Sequence, residues 1–280
     1  MREPAVAGMF YPASESGLRK ELTRCFMKGP GRVEPLVGKR VIGLVSPHAG
    51  YTYSGPTAAY GYIALAEGGI PKTAIIIGPN HTGLGDDVGM LDDDLRTPLG
   101  IARLDRELAK ALNVRADRMS HVHEHSMEVQ VPFLQFLDTN MEQVCISMMD
   151  QTLGAAKALS RKVCNAVRSA GKEVVLIASS DFTHCGPNYG VHVPRGTTAG
   201  ESAKTRDMPV IERLLGMDAQ GAFDARDEMG STACGLGPVA TVLLASKELG
   251  AKEAKLLNYT TSYDVMPHHS AVGYASLVFQ

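Results

Sequence analysis

The residues able to do chemistry stand at the ends of apolar runs. VIGLVSPHAG, residues 41–50, delivers His48 after a turn-forming Ser46-Pro47. AIIIGPNHTG, residues 74–83, delivers His81, and EVVLIASSDFTHCG, residues 173–186, delivers Asp181 and His184. Each has the same construction: a hydrophobic strand, small or turn-forming residues, then a metal-capable or titratable group. A fourth stretch, GSTACGLG, residues 230–237, sets Cys234 just before a helix expected from Pro238. There the positive end of the helix dipole favours thiolate. Imidazole, thiolate and carboxylate together are the donors of a transition-metal site, and equally the parts of an acid/base or cysteine-nucleophile centre. Asp181 has two readings, as a turn or N-cap residue or as the group that fixes a histidine tautomer.

VHEHSMEVQVPF, residues 122–133, adds His125 and Glu128, three apart and so on one helical face. They orient a ligand or add a carboxylate to the site; the plainer reading is a helix N-terminus with acids placed for the dipole. His268 and His269 precede the final strand, divided between a site role and an exposed loop. His121, His123 and His192 carry no spacing signal. Tyr51 and Tyr53 line the pocket or pack beside His48. Cys25 and Cys164 fall in helical patterns and Cys145 in a strand, which makes all three core; Cys185 is unplaced.

These side chains need a scaffold. Apolar runs predict strands over Val41–Ser46, Thr73–Gly78, Gln143–Met148, Glu173–Ser179 and Ala271–Phe279, with Lys255–Thr260 a further candidate. Amphipathic stretches predict helices over Ser16–Met27, Pro56–Glu67, Asp105–Leu112, Ser126–Leu137, Leu153–Ser169, Pro209–Leu215 and Pro238–Leu249. Pro132 should kink or end its helix. The alternation implies one α/β domain over residues 1–280, with a mostly parallel sheet covered by helices on both faces. The last strand fits either direction. Gly186–Asp207, poor in apolar periodicity, reads as a long functional loop. In an open α/β sheet, sites form beyond the carboxyl ends of the strands, so parallel neighbours bring His48, His81 and Asp181 to one edge.

The bulk numbers exclude other classes. The chain has 280 residues, 44% of them hydrophobic, and a net charge of -2. No basic run invites nucleic acid. No apolar run approaches the roughly 20 residues that span a bilayer, and the N-terminus lacks the apolar core of a secretory signal. Five cysteines with no CxxC argue against a disulfide framework and for a reducing cytoplasm. GLG at 235–237 follows no strand, which discounts dinucleotide binding.

Seven stretches together resemble the Memo-like family: REPAVAGMFYP, SPHAGYTYSG, GPNHTG, EHSMEVQVPF, SSDFTHCG, GSTACG and YDVMPHHSAVGYAS. They run from residue 2 to about 276. That family is similar in fold to class III extradiol dioxygenases, which hold non-haem iron(II) on two histidines and a carboxylate. The resemblance implies a metal site of His48, His81 and Cys234, with His184 as acid/base and Asp181 beside it. Cysteine in place of the carboxylate softens the donor set. Iron(II) is the first expectation, copper the second and zinc the third. The function this implies is a metal-binding protein, a redox enzyme on a small molecule. The alternative is a non-catalytic metal- or peptide-binding accessory protein, with a protein partner, on a retired dioxygenase fold.

Overall fold

A computed structural model describes residues 1–30 and 39–280. In chain order its elements are α1 (Glu15–Lys28), β1 (Gly43–Ser46), α2 (Tyr51–Gly68), β2 (Thr73–Pro79), β3 (Val88–Met90), β4 (Leu95–Thr97), β5 (Gly100–Leu104), α3 (Arg106–Leu112), α4 (Val131–Leu137), β6 (Glu142–Met148), α5 (Leu153–Ala170), β7 (Val174–Ser179), β8 (His184–Cys185), α6 (Ala199–Leu215), α7 (Ala219–Met229), α8 (Leu236–Glu248), β9 (Ala254–Thr261), α9 (Ser262–Val265) and β10 (Ala271–Phe279). The strands join in one sheet of order β4-β5-β6-β2-β7-β1-β10-β8. From β5 to β1 every neighbour is parallel. β10 lies antiparallel between β1 and β9, which resolves its direction.

Strand pleating divides the core in two. Ile75, Ile77 and Val45 pack on the α3, α5, α6, α7 and α8 side. Their neighbours Ala74, Ile76 and Leu44 pack on the α1, α2 and α4 side. Both faces are covered, so the strands read as unbroken apolar runs instead of alternating ones. No helix among the described residues is long and apolar enough to cross a membrane.

Three expectations need correction. The loop foreseen over Gly186–Asp207 ends early, because α6 starts at Ala199 and runs through Pro209. Its start is a capping box in which Thr198 and Glu201 exchange hydrogen bonds. The buried face of that first stretch is Ala199, Gly200, Ser202 and Ala203, too small and polar to register as an apolar stripe. α2 likewise begins at Tyr51, with Pro56 inside it. The single helix foreseen over Ser126–Leu137 is a 3-10 turn, Glu128–Gln130, followed by α4, with Pro132 in the first turn of α4. α7 and the short strands β3, β4 and β5 had no sequence signal.

Candidate functional site

The parallel neighbours β2, β7 and β1 end side by side, and each releases its side chains at the same edge. His48 follows β1, His81 follows β2, and Asp181 follows β7. The turn before α4 brings His125 to the same place. One ligand atom from each of His48, His81 and His125 lies within 4.8 Å of the others. The His81 and His125 rings stack at 4.7 Å between centroids, and the His48 ring stands edge-on to both, at 5.2 and 5.4 Å.

Hydrogen bonding decides which nitrogens are free. Ser179 Oγ donates to the Ser126 carbonyl at 2.5 Å and accepts from Gln130 Nε2 at 2.7 Å. A hydroxyl has one proton, so at 3.0 Å the His48 Nδ1–H must donate to Ser179. His48 Nε2 is left with its lone pair. His81 Nδ1 stands 2.9 Å from the Glu124 carboxylate, an acceptor, which leaves His81 Nε2 free in the same way. Glu124 also accepts the main-chain N–H of His81 at 2.6 Å and of Ser126 at 2.8 Å. Carboxylate to histidine to open nitrogen is the arrangement that orients metal ligands.

Electrostatics keeps His48 and His125 neutral. Burial, and then the neighbouring imidazoles, holds His48 well below the usual histidine range. Burial pushes His125 down to about 4. Burial works against the Glu124 charge too, but the His81 ring and surrounding N–H groups outweigh it and hold the acid at about 2.

Cys234 reaches the cluster from the other side. Its Sγ lies 3.1 Å from His48 Nε2, although it is outside the three-histidine set. Its main-chain N–H donates to the Asp181 carbonyl at 3.2 Å. The thiolate expectation does not hold for the metal-free side chain. α8 begins two residues later, and burial, then the Asp181 carboxylate, holds the thiol well above the ordinary cysteine range. Sγ–H therefore has two acceptors within reach, His48 Nε2 at 3.1 Å and the Asp181 carbonyl at 3.6 Å.

Asp181 and His184 line one cavity of about 500 Å³ with His48, His81 and His125. Asp181 does not fix the His184 tautomer. It accepts the main-chain N–H of His48 at 2.7 Å, pinning that turn, and burial raises it to about 7. His184 Nδ1–H donates to the Phe182 carbonyl at 2.9 Å, so its Nε2 is the free atom, and its ring stands edge-on to Tyr189 at 5.1 Å. Phe10, Tyr53, Tyr189 and Tyr274 are further walls of the cavity.

The structure separates residues that the sequence paired. Glu128 shares no site with His125. It is buried, ion-paired with Arg2 at 2.7 Å, and accepts from Tyr11 and from the main-chain N–H of Ala5 and Val6. Arg2 continues to the His121 and Glu124 carbonyls, so the N-terminal segment straps the turn that carries His125. Tyr51 is core, with its hydroxyl on the Val129 carbonyl, while Tyr53 lines the cavity. His268 is exposed and lines this cavity and its neighbour; His269 lines only the neighbouring one. Cys25, Cys145, Cys164 and Cys185 are all buried. Sequence reasoning passed over Glu124, Ser179 and Gln130. Glu124 sits inside the EHS stretch, flanked by two histidines, and that was the available signal.

The Memo-like protein family profile matches residues 2–278. The chain belongs to the Memo-like family. A MEMO1 family protein of Methanothermobacter thermautotrophicus is 41% identical over 288 residues, covering 99% of each chain. One from Methanopyrus kandleri is 41% identical over 293 residues, covering 100% of this chain and 99% of that one. One from Thermococcus kodakarensis is 42% identical over 294 residues with the same coverage. Among solved structures, an uncharacterized Escherichia coli K12 protein is similar at 12% identity over 86% of this chain and all of that one, with a TM-score of 0.48. This Memo-like chain carries its three-histidine cluster at the sheet edge where β1, β7 and β2 end.

Proposed function

We propose that this Memo-like chain binds a transition-metal ion on His48 and His81, with Cys234 and His125 as flanking donors, and uses it in a redox reaction on a small molecule. The supporting observation is the pair of Nε2 lone pairs, oriented by Ser179 and Glu124, at the ends of the two parallel strands on either side of β7. The donor set fits a borderline to soft ion, iron(II) first and copper next, with zinc third. When bound, the ion supplies open coordination positions and a redox couple. The chain's own residues do the remainder. Aromatic walls receive a planar molecule in a cavity of a size that suits small ligands. His184 offers Nε2 to accept or return a proton.

Metal content of anaerobically purified protein tests this. We expect about one iron or copper per chain in the wild type and less than about a tenth of that in His48→Ala and His81→Ala. Cys234→Ala and His125→Ala then rank the flanking donors. A wild type that takes up no metal after anaerobic reconstitution with iron(II) or copper(I) overturns the reading. Full metal without substrate-dependent redox turnover sets the accessory-protein reading in its place.

A further inference from the structure

Asp207 lies in the middle of α6, its side chain wholly buried and outside both the histidine cluster and the cavity lining. Among the described residues no cation pairs with it. Its oxygens are instead filled by neutral donors from three elements. Oδ1 accepts the Thr183 N–H at 2.9 Å and the Ser231 hydroxyl at 3.3 Å. Oδ2 accepts the Tyr259 hydroxyl of β9 at 2.8 Å. Thr183 Oγ1 in turn donates to Ser231 Oγ at 2.9 Å. β10 makes room for the carboxylate: a Cβ on Gly273 would lie 2.1 Å from Asp207 Oδ2, so only glycine fits there.

The two loops held this way carry the site. Thr183 lies between Asp181 and His184, and Ser231 opens the stretch that leads to Cys234. The loops meet again where the His184 N–H donates to Thr232 Oγ1 at 2.8 Å and that hydroxyl donates to the His184 carbonyl at 2.9 Å. Neither loop has a long ladder to place it. β8 is two residues long, and residues 231–233 are irregular. A buried carboxylate left without its donors is costly, so each donor is drawn to it firmly.

We propose that Asp207 is a positioning residue, the clip that joins the 181–184 and 231–234 loops and so fixes Asp181, His184 and Cys234 against the His48–His81 pair. This rests on the reading of those residues as one site, but its test needs no bound metal. Cys234 is half-buried where the other four cysteines are fully buried, so its alkylation rate in metal-free protein reports on the loop. The His184 imidazole Nδ1–H signal in NMR reports on the other loop.

The experiment follows iodoacetamide labelling of Cys234 by peptide mass spectrometry. In Asp207→Ala we expect labelling to quicken about tenfold or more, because the opening removes hydrogen bonds to a buried charged group. The His184 Nδ1–H signal should be lost with it. Asp207→Asn keeps an acceptor for Thr183 and Ser231, and should label within about twofold of wild type. Ser231→Ala should give a smaller increase. Val210→Ala, a buried position one turn further along α6, lowers stability without touching the clip and should label like wild type. A wild-type rate in folded Asp207→Ala overturns the proposal, as does an equal increase in Val210→Ala. Should Asp207→Ala fail to fold, an unchanged rate in Ser231→Ala overturns it. Metal content of the same variants is scored separately, so failure of metal binding leaves this result legible.

Discussion

Glu124 and Asp207 are both buried carboxylates standing behind the same cavity, yet they are held in opposite ways. Glu124 receives main-chain N–H groups from its own turn and both the N–H and the ring of His81 from the end of β2, and these outweigh burial and hold it at about 2. Asp207 receives its donors from three separate elements, and burial outweighs them, raising it to about 6. The first is an anchor that orients a single side chain, His81. The second is a long-range clip that gathers loops. A charge met by an imidazole and several main-chain N–H groups is stable as a charge; one met by two hydroxyls and a single N–H is held at the edge of neutrality.

Four outcomes break or sharpen that contrast. The largest concerns the anchored side itself: His81→Ala should weaken metal binding by at least about a hundredfold, more than any supporting residue can, as read by competition with a chelator. Glu124→Gln should cost about ten- to a hundredfold in the same assay while leaving the fold intact, and an unchanged affinity would remove the anchor from the argument.

The third outcome is a pair of opposed pH dependences. Glu124 is depressed in the folded state, so its contribution is present above about 4.5 and lost as pH falls through about 2. Asp207 is raised, so its contribution is present below about 3.8 and lost as pH rises through about 6. Each spans on the order of 3 kcal/mol. Denaturant unfolding across pH should therefore show Glu124→Gln flattening the acid limb and Asp207→Asn flattening the limb between pH 4 and 6. Parallel curves for the two variants would cancel the distinction. The smallest effect belongs to His184→Gln, which lies outside the proposed donor set and should change metal affinity by less than about threefold while slowing any proton-coupled turnover by roughly a hundredfold or more.

Much of the fold was legible because its strands are buried on both faces. Thr73–Pro79 and Val174–Ser179 announce themselves as apolar runs of strand length, and the parallel sheet follows from the helices between them. The start of α6 was not legible, since its inward face is alanine, glycine and serine and its boundary is a side-chain cap. Among site residues, His48, His81, Asp181 and His184 were visible because each follows an apolar run. Glu124 and Asp207 were not, because an acidic residue's partners are chosen by the fold and leave no period in the sequence.

The sequence by itself determined that several titratable side chains leave the carboxyl ends of strands, since strand, turn residue and histidine are contiguous in the chain. Only the tertiary structure decided which of them meet. His125 joins His48 and His81, while Glu128, three residues on, turns away to close around Arg2 and the N-terminal segment. The difference is physical: local spacing sets which face of a turn a side chain leaves, but the register of β1, β2 and β7 and the burial of a charge against its counter-charge set what stands opposite it.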